Sequence, residues 1–247
     1  MKSDPAIASV GSQTEQQTRL EMVSACITLS EKGLSPVGFI SMGHRWARSG
    51  AQGVLCTPTS PAQPVDTWTA DDLQWHSRTA AAADTAPWPG QQPDDAIPTN
   101  TSWLGVFRGL LEENNAVRTI LLISPPYASA LACLPRVHSE GLLPVHPAVA
   151  AFSPDGVPCA PFVATGNHSL DQQSLEAILP ALALGQACLL ANQGVLVTGH
   201  SIRQTIYRAQ CLEGLARLYG LALQMGEPAI LDADQLNLGF AHWQQPV

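Results

Sequence analysis

Residues Gln186 to Gln224, QACLLANQGVLVTGHSIRQTIYRAQCLEGLARLYGLALQ, decide the fold. Two short β-rich runs, Ala187–Leu190 and Val195–Val197, flank the polar turn Asn192-Gln193-Gly194, an order typical of two strands joined by a tight turn. Such a turn puts the side chain of Gln193 at the end of a strand, where α/β sheets usually carry their chemistry. The stretch therefore predicts a strand pair with a candidate functional residue at its tip.

A long helix is predicted after the second strand. Ser201 is followed three residues later by Gln204, a spacing at which each side chain can accept a hydrogen bond from the other residue's backbone amide. The apolar positions recur every three or four residues, which predicts that one face of the helix packs on a core. These positions are Ile202, Ile206, Ala209, Leu212, Ala216, Tyr219 and Leu223.

The composition limits the classes of partner. Charged residues make up 13% of the 247 residues and apolar types make up 45%, and the charged share is about half of the usual one. So low a charge content is typical of a surface covered by other subunits, and it also occurs as ordinary variation in composition. The net charge is −8 and no basic block occurs, so we expect no nucleic-acid partner.

The cysteines and the N-terminus predict a cytoplasmic protein. The six cysteines are scattered without a Cys-x-x-Cys pair, and most lie in apolar contexts such as that of Cys188, so we expect buried free thiols in a reducing compartment. The first residues lack the apolar core of a signal peptide, and no run reaches the roughly 18 apolar residues of a membrane span. We expect a flexible N-terminus over residues 1–13, a single domain over residues 14–247 and no membrane partner.

The N-terminal half predicts a helix and an antiparallel meander. A second Thr-x-x-Gln cap begins at Thr14, and the helix that it opens is expected to stop near Gly33. Three β-rich segments follow, VGFISM from Val37, HRWA from His44 and GVLCT from Gly53, separated by glycine and polar turns. This order is typical of strands that pair with their neighbours in sequence.

The C-terminal stretch resembles the pattern of the class II aldolase/adducin family: an apolar strand, Asn-His-Gly, a second strand, a glycine and a long helix. In the enzymes of that family the histidine of Asn-His-Gly is a metal ligand, and Gln193 stands at its place here. A second match is PYASALACL, Pro126–Leu134, which in the family follows a strand ending in His-x-His-Ser. Counting back from this match puts the two strand-end histidines at Leu122 and Ser124. The family's catalytic glutamate falls on Thr101.

The resemblance also implies where a phosphorylated ligand would bind. The family's Gly-Asn-x-Ser strand matches Gly38-Phe39-Ile40-Ser41, and its Thr-Pro-Ser-Gly turn matches Thr57-Pro58-Thr59-Ser60. Phe39 cannot donate the hydrogen bond of the family's asparagine, and Ser60 hinders the close approach of an anion that a glycine allows. The candidate ligand-binding residues are Thr57, Thr99, Asn100, Ser124 and Gln193.

A catalytic metal does not suit these residue types. Metal-dependent chemistry in this fold needs about three imidazoles and an open coordination position. Leucine has no lone pair, and a serine hydroxyl and a glutamine amide are weak ligands for zinc. We therefore expect no metal at the ancestral ligand positions Leu122, Ser124 and Gln193, and no other cofactor. Thr101 also cannot serve as the family's general acid or base, because a threonine does not titrate in a useful range.

The resemblance implies an α/β fold of the class II aldolase type, with three layers and a central, mainly antiparallel β-sheet flanked by helices. It also implies a homo-oligomer, which is commonly a tetramer in this family. Like the adducin head, the chain is then expected to be a pseudoenzyme that binds a small carbonyl or acid ligand, or a protein partner, without metal chemistry.

Two other functions stay open. One is a metal-independent lyase, decarboxylase, isomerase or cyclase, for which Tyr127, Gln193 and Thr101 are candidate catalytic residues and Ser124 helps to orient a carbonyl compound. Uncharged polar groups of this kind can stabilise an oxyanion, but they carry protons poorly. A metal-dependent sugar-phosphate aldolase ranks third.

Overall fold

A central β-sheet organises the chain. The computed structural model describes residues 14–36, 39–58, 64–77, 103–165 and 168–243. Within these ranges, the strands form one seven-stranded sheet in the order β3-β2-β1-β4-β7-β6-β5. Their bounds are β1 (Ile40–Arg48), β2 (Ala51–Cys56), β3 (Gln74–Ser77), β4 (Thr119–Ile123), β5 (Cys159–Ala160), β6 (Ala187–Leu190) and β7 (Gly194–Gly199).

The strand directions confirm the predicted fold class. All neighbours in the sheet are antiparallel except β5 and β6, which are parallel, so the sheet is mixed and mainly antiparallel. Strands β1, β2 and β3 form an antiparallel meander, as predicted, but its third strand is Gln74–Ser77, which lies outside the three predicted segments. The tight turn between β6 and β7 also lies where the sequence places it.

Helices cover both faces of the sheet and make the predicted three layers. Their bounds are α1 (Glu15–Glu31), α2 (Leu104–Glu113), α3 (Pro126–Leu131), α4 (Pro135–Glu140), α5 (His168–Ala183), α6 (Ile202–Met225) and α7 (Ala233–Trp243). One apolar core lies between the sheet and α1, α3 and α6, and a second lies between the sheet and α2 and α5. Side chains of β4 alternate between the two cores, with Leu121 and Ile123 in the first and Ile120 and Leu122 in the second.

Strand β1 is longer than the sequence suggests. The HRWA segment is not separate, because β1 continues through Gly43 and His44 to Arg48. A Cβ at Gly43 would lie 2.7 Å from the ring of Phe107, so this glycine allows α2 to pack closely on the strand and does not mark a turn. The turn lies at Ser49 and Gly50, whose φ angles are 50° and 83°, as a two-residue hairpin loop requires.

Of the two hydrogen bonds predicted for the N-terminal cap of α6, one is confirmed and the other has a different donor. The backbone amide of Gln204 donates to the Ser201 hydroxyl oxygen at 3.1 Å, as expected. The Gln204 side chain, however, accepts from the amide of His200 at 2.9 Å, one residue before the predicted donor. The helix still gains an acceptor for one of its free N-terminal amides.

Loops and short elements make up the region between α3 and α5. It holds helix α4, a short 3-10 helix at Pro147–Ala151 and the two-residue strand β5, joined by loops. The last described element is the helix α7, which has 11 residues. Within the described ranges, no helix has both the length and the apolar content to cross a membrane.

Candidate functional site

The candidate site lies where β4 ends beside the turn between β6 and β7. Antiparallel pairing sets Leu122 opposite Leu196 and Ile123 opposite Val195. Ser124, the next residue, is therefore beside the turn that carries Gln193. The fold brings together the three positions that the family pattern assigns to its metal ligands.

The turn itself is tightly constrained. Asn192 has a φ of 60°, a left-handed conformation that asparagine tolerates better than most residues. Gly194 has a φ of 146°, and a Cβ there would clash with the carbonyl oxygen of Ile123. The amide of Asn192 also donates to the carbonyl of Ala132 at 2.9 Å, which ties the turn to the end of α3. These contacts fix the position of Gln193.

Both ends of the Gln193 side-chain amide bind the backbone of Val163. The side-chain nitrogen donates to the Val163 carbonyl at 2.9 Å, and the side-chain oxygen accepts from the Val163 amide at 3.1 Å. The pair reproduces the hydrogen bonds that two backbone residues exchange in an antiparallel ladder. Gln193 thus fastens the loop after β5 to the tip of the β6–β7 pair.

The hydroxyl of Ser124 is also used inside the protein. It donates to the backbone carbonyl of Gln193 at 2.8 Å, and the residue is buried. We call Ser124, Gln193 and Val163, with the hydrogen bonds that join them, the strand-end clasp. The clasp connects β4, the β6–β7 turn and the loop after β5 through hydrogen bonds between groups of the protein itself.

Leu122 lies beneath the clasp in the second apolar core. Its side chain is 1% exposed, and it belongs to the same cluster as Val163, Leu190 and Leu196. A divalent metal does not fit these three positions, because one side chain is aliphatic and the other two are weak ligands whose polar groups bind the protein itself. Among the residues that the structure describes, no three His, Cys, Asp or Glu side chains come together at metal-binding distance.

Thr57 has a structural partner as well. It is buried, its hydroxyl oxygen accepts from the amide of Met42 at 2.9 Å, and its amide donates to the Met42 carbonyl at 3.0 Å. Neither bond involves the hydrogen of its hydroxyl group. The predicted role of Thr57 as a donor to a ligand stays a prediction. Three other predicted residues, Thr99, Asn100 and Thr101, lie outside the described ranges.

Tyr127 lies at the surface, 39% exposed, and its ring stacks against the guanidinium of Arg217 at 5.4 Å. Its amide and that of Ala128 donate to the two carboxylate oxygens of Glu213 at 2.8 and 2.9 Å. No hydrogen bond in the described part of the chain joins Tyr127 to Ser124 or Gln193. The predicted catalytic role of Tyr127 stays a prediction.

Sequence reasoning missed Glu213, which holds the start of α3 against α6. A signal was present, because Glu213 is the only acidic residue between Ile202 and Met225. Burial raises the pKa of its carboxyl, while the two backbone donors and Arg217 act in the opposite direction. Sequence reasoning also missed the partner of Gln193, since a backbone group carries no sequence signal.

A buried histidine lies at the other end of the sheet. His44 Nδ1 is 2.8 Å from the hydroxyl oxygen of Thr119, and both residues are buried. Burial, with a smaller contribution from the positive charge of Arg118, lowers the pKa of His44 to about 4. A neutral imidazole at this place stabilises the start of β4 and lies far from the strand-end clasp.

The sequence matches the model of a known protein family. The chain belongs to the class II aldolase and adducin N-terminal domain family, whose model matches residues 20–220. The match covers the sheet, the strand-end clasp and most of α6.

Two curated relatives match about half of the chain. A 5-methylthioribulose-1-phosphate/5-deoxyribulose-1-phosphate aldolase of Rhodospirillum rubrum is 30% identical over 128 residues, which are 52% of this chain and 54% of the relative. A 5-deoxy-D-ribulose 1-phosphate aldolase of Bacillus thuringiensis is 29% identical over 112 residues, which are 45% of this chain and 48% of the relative. The chain thus spans about half the length of the curated relatives that it matches.

Solved structures show the same fold over nearly the whole chain. An L-fuculose 1-phosphate aldolase superposes with a TM-score of 0.71 and 18% identity, covering 94% of this chain and 100% of the other. YgbL of Klebsiella pneumoniae, named a candidate aldolase/epimerase/decarboxylase, superposes with a TM-score of 0.67 and 26% identity, covering 92% and 99%.

Proposed function

We propose that this chain is a class II aldolase-family protein that binds a small phosphorylated or acidic carbonyl compound without metal-dependent cleavage. It keeps the family fold. At the positions where the family binds its metal, Ser124 and Gln193 instead form the strand-end clasp. The family and the fold are established by the match over residues 20–220. The loss of the metal chemistry is the proposed step.

One observation carries the proposal. Both the oxygen and the nitrogen of the Gln193 side-chain amide bind the backbone of Val163, where a metal ligand would need a lone pair directed at an ion. Freeing that side chain would leave the amide and carbonyl of Val163 without partners, at a cost of about 1 kcal/mol for each group. The energy of the clasp therefore opposes recruitment of Gln193 by a metal.

The class of ligand is inferred from the relatives. The curated relatives are named as aldolases of ribulose 1-phosphate derivatives, so a ketose phosphate or a similar acid is the first compound to test. Among the predicted ligand-binding residues, Thr57 has a hydroxyl hydrogen that its two bonds to Met42 do not use, and Thr99, Asn100 and Thr101 are further candidates. We expect these polar, uncharged groups to bind a carbonyl compound and not to move its protons.

Binding and turnover can be separated in one pair of measurements. The purified chain, with and without added Zn²⁺ or Mn²⁺, is heated in the presence of 5-deoxyribulose 1-phosphate or fuculose 1-phosphate, and the shift in Tm is recorded. Aldol cleavage of either ketose phosphate is followed through the dihydroxyacetone phosphate released. We expect a rise in Tm without product, and with Thr57→Val the rise should shrink while Thr67→Val, on an exposed turn, keeps it.

A metal-dependent sugar-phosphate aldolase is the second candidate. It is favoured by the names of both curated relatives, and it predicts product formation that requires the added metal. A metal-independent lyase, decarboxylase, isomerase or cyclase would instead give product without metal, and Tyr127→Phe should then reduce the rate. Either result would replace the proposal of binding alone.

A further inference from the structure

A cleft between α2 and the β1–β2 pair is lined by two arginines. Its volume is about 270 Å³, and it lies at the end of the sheet opposite the strand-end clasp, where Arg45 of β1 pairs with Val54 of β2. Two guanidinium groups and one carboxylate give the lining a net positive charge, in a chain whose net charge is −8. We call this site the basic cleft. Its lining residues are Arg45, Arg108, Leu111, Glu112 and residues 52–54.

The guanidinium of Arg45 is held in place by the end of α2. Its Nη2 donates to the carbonyl oxygens of Leu111 and, at 3.3 Å, of Asn114. Its Nη1 donates to the side-chain oxygen of Asn115 at 3.3 Å. A cation is favourable at the C-terminal end of a helix, so this capping role accounts for Arg45. It does not account for the other arginines at this end of the sheet.

Arg118 lies opposite Arg45 on the neighbouring strand. The amide of Arg45 donates to the Arg118 carbonyl at 2.7 Å, one step beyond the paired residues His44 and Thr119. Side chains directly opposite each other share one face of the sheet, and like charges there destabilise the pair. Arg118 is exposed, and in the described part of the chain no ion pair joins it to a carboxylate. The repulsion at this position would be relieved by an anion.

The charges of these arginines reach buried groups of the sheet. Burial is the main cause of the low pKa of His44, about 4, and the charge of Arg118 lowers it further. Burial raises the pKa of the Cys56 thiol to about 12, and the charge of Arg108 opposes that rise. Both effects have the sign of a positive potential around the basic cleft.

We propose that the basic cleft binds the phosphate group of a small molecule, with Arg45 and Arg108 as its donors and Arg118 as a further positive charge. The planar guanidinium group can donate two parallel hydrogen bonds to an oxyanion. Gln52, which also lines the cleft, supplies a side-chain amide. The volume lies just below the range of about 300–1,000 Å³ typical of ligand pockets, so a phosphate and a few further atoms fit, whereas a nucleotide does not.

Glu112 limits the affinity of the basic cleft. It lies one turn after Arg108 on α2, a spacing at which two side chains are neighbours, and its carboxylate repels a bound phosphate. We therefore expect a Kd of about 1 mM for inorganic phosphate. The site uses no metal and no residue of the strand-end clasp, so it can hold or fail independently of the proposed function.

The first test is isothermal titration calorimetry of the full chain with inorganic phosphate, at neutral pH and constant ionic strength. Arg108→Gln should weaken the binding at least about tenfold. Lys32→Gln removes the same charge at an exposed position at the end of α1 and should leave the affinity unchanged. Circular dichroism checks that the variants fold. Absence of binding by the wild type, or equal affinities of the wild type and Arg108→Gln, would overturn the proposal.

A second pair of variants gives the opposite sign. Glu112→Gln keeps the shape of the side chain and removes the repelling charge, so phosphate should bind about threefold more tightly or better. Glu113→Gln removes the same charge from the next residue, which is exposed and does not line the basic cleft, and should leave the affinity unchanged. Equal gains in the two variants would show a general attraction set by net charge, which contradicts a site in the cleft.

A third variant separates the basic cleft from the candidate site at the strand-end clasp. Thr57 follows β2 at the end of the sheet that carries the clasp, so Thr57→Val should bind inorganic phosphate as tightly as the wild type. Phosphate binding that is lost in Thr57→Val and kept in Arg108→Gln would place the anion at the other site and overturn this proposal. Phosphate binding that depends on Arg108, in a chain that binds no ketose phosphate near Thr57, would support the basic cleft and contradict only the proposed function.

Discussion

Polar side chains of different types are buried at the two ends of strand β4. At both ends, their hydrogen bonds are made to other groups of the protein. At its start, Thr119 pairs with the imidazole of His44. Beyond its other end, about 17 Å away along the strand, Ser124 and Gln193 bind each other and the backbone of Val163. The family resemblance implies imidazoles at this second end, whereas the buried imidazole of His44 lies at the first. A polar side chain at a strand end indicates chemistry only if it keeps a hydrogen-bonding group for a ligand.

The largest expected effect is the loss of folding stability at acidic pH that His44 causes. Its pKa is about 4 in the folded protein and about 6.5 in the unfolded chain. Between these pH values the His44 imidazole is protonated in the unfolded chain but neutral in the folded protein. The free energy of unfolding therefore decreases by about 3 kcal/mol as the pH falls from 6.5 to 4. Urea unfolding at several pH values measures this slope.

The matched variant isolates the contribution of His44. His44→Gln keeps a polar group near Thr119 and should be less stable at pH 7, but its stability should vary less than that of the wild type between pH 6.5 and 4. His200→Gln, at an exposed position, should retain the wild-type slope. Parallel curves for the wild type and His44→Gln would show that His44 is not the acid-sensitive group.

The next effect concerns the strand-end clasp. Gln193→Ala removes two hydrogen bonds and leaves two groups of Val163 without partners, which should reduce the free energy of unfolding by about 2 kcal/mol. Gln186→Ala, an exposed glutamine at the other end of β6, should change it by less than about 0.5 kcal/mol. Equal effects of the two variants in urea unfolding would mean that the clasp contributes nothing.

Ser124→Ala should have a smaller effect. The Gln193 carbonyl loses one donor and the methyl group fits the buried site, so we expect a loss of about 1 kcal/mol. Because Ser124 and Gln193 are in contact, the double variant should lose less or more than the sum of the single variants. Strict additivity in a double-mutant cycle would indicate that the two residues act separately.

Tyr127→Phe should have the smallest effect. The exposed ring can still stack on Arg217, and the amide that binds Glu213 is unchanged, so stability should change by less than about 0.5 kcal/mol. A larger change in thermal unfolding would mean that the hydroxyl of Tyr127 has a structural partner.

Most of the scaffold could be predicted because its signals are local. The strands around Gly194 and the helix after Ser201 each follow from a short period of apolar residues and a cap. Helix α4 could not, since six residues give no period, and its start depends on Pro135. The continuation of β1 through Gly43 could not be predicted either. This glycine makes room for Phe107, which lies on a helix distant in sequence.

The sequence indicated which positions meet at the end of the strands, but not the contacts that their side chains make. The family pattern identified Leu122, Ser124 and Gln193, and the sheet brings them together. The partner of Gln193 is the backbone of Val163, which lies 30 residues away in sequence. A non-local bond to a main-chain group depends on the whole sheet, so residue types alone cannot reveal it.

The metal content of the purified chain tests the central claim most directly. The protein is incubated with excess Zn²⁺ or Mn²⁺, desalted, and analysed by mass spectrometry for ions per chain, beside Gln193→Ala and a triple variant carrying Leu122→His, Ser124→His and Gln193→His. Because the clasp occupies the ancestral ligand positions, the wild type should retain far less than one ion per chain and match Gln193→Ala. One tightly held ion per wild-type chain, lost in Gln193→Ala, would contradict the account.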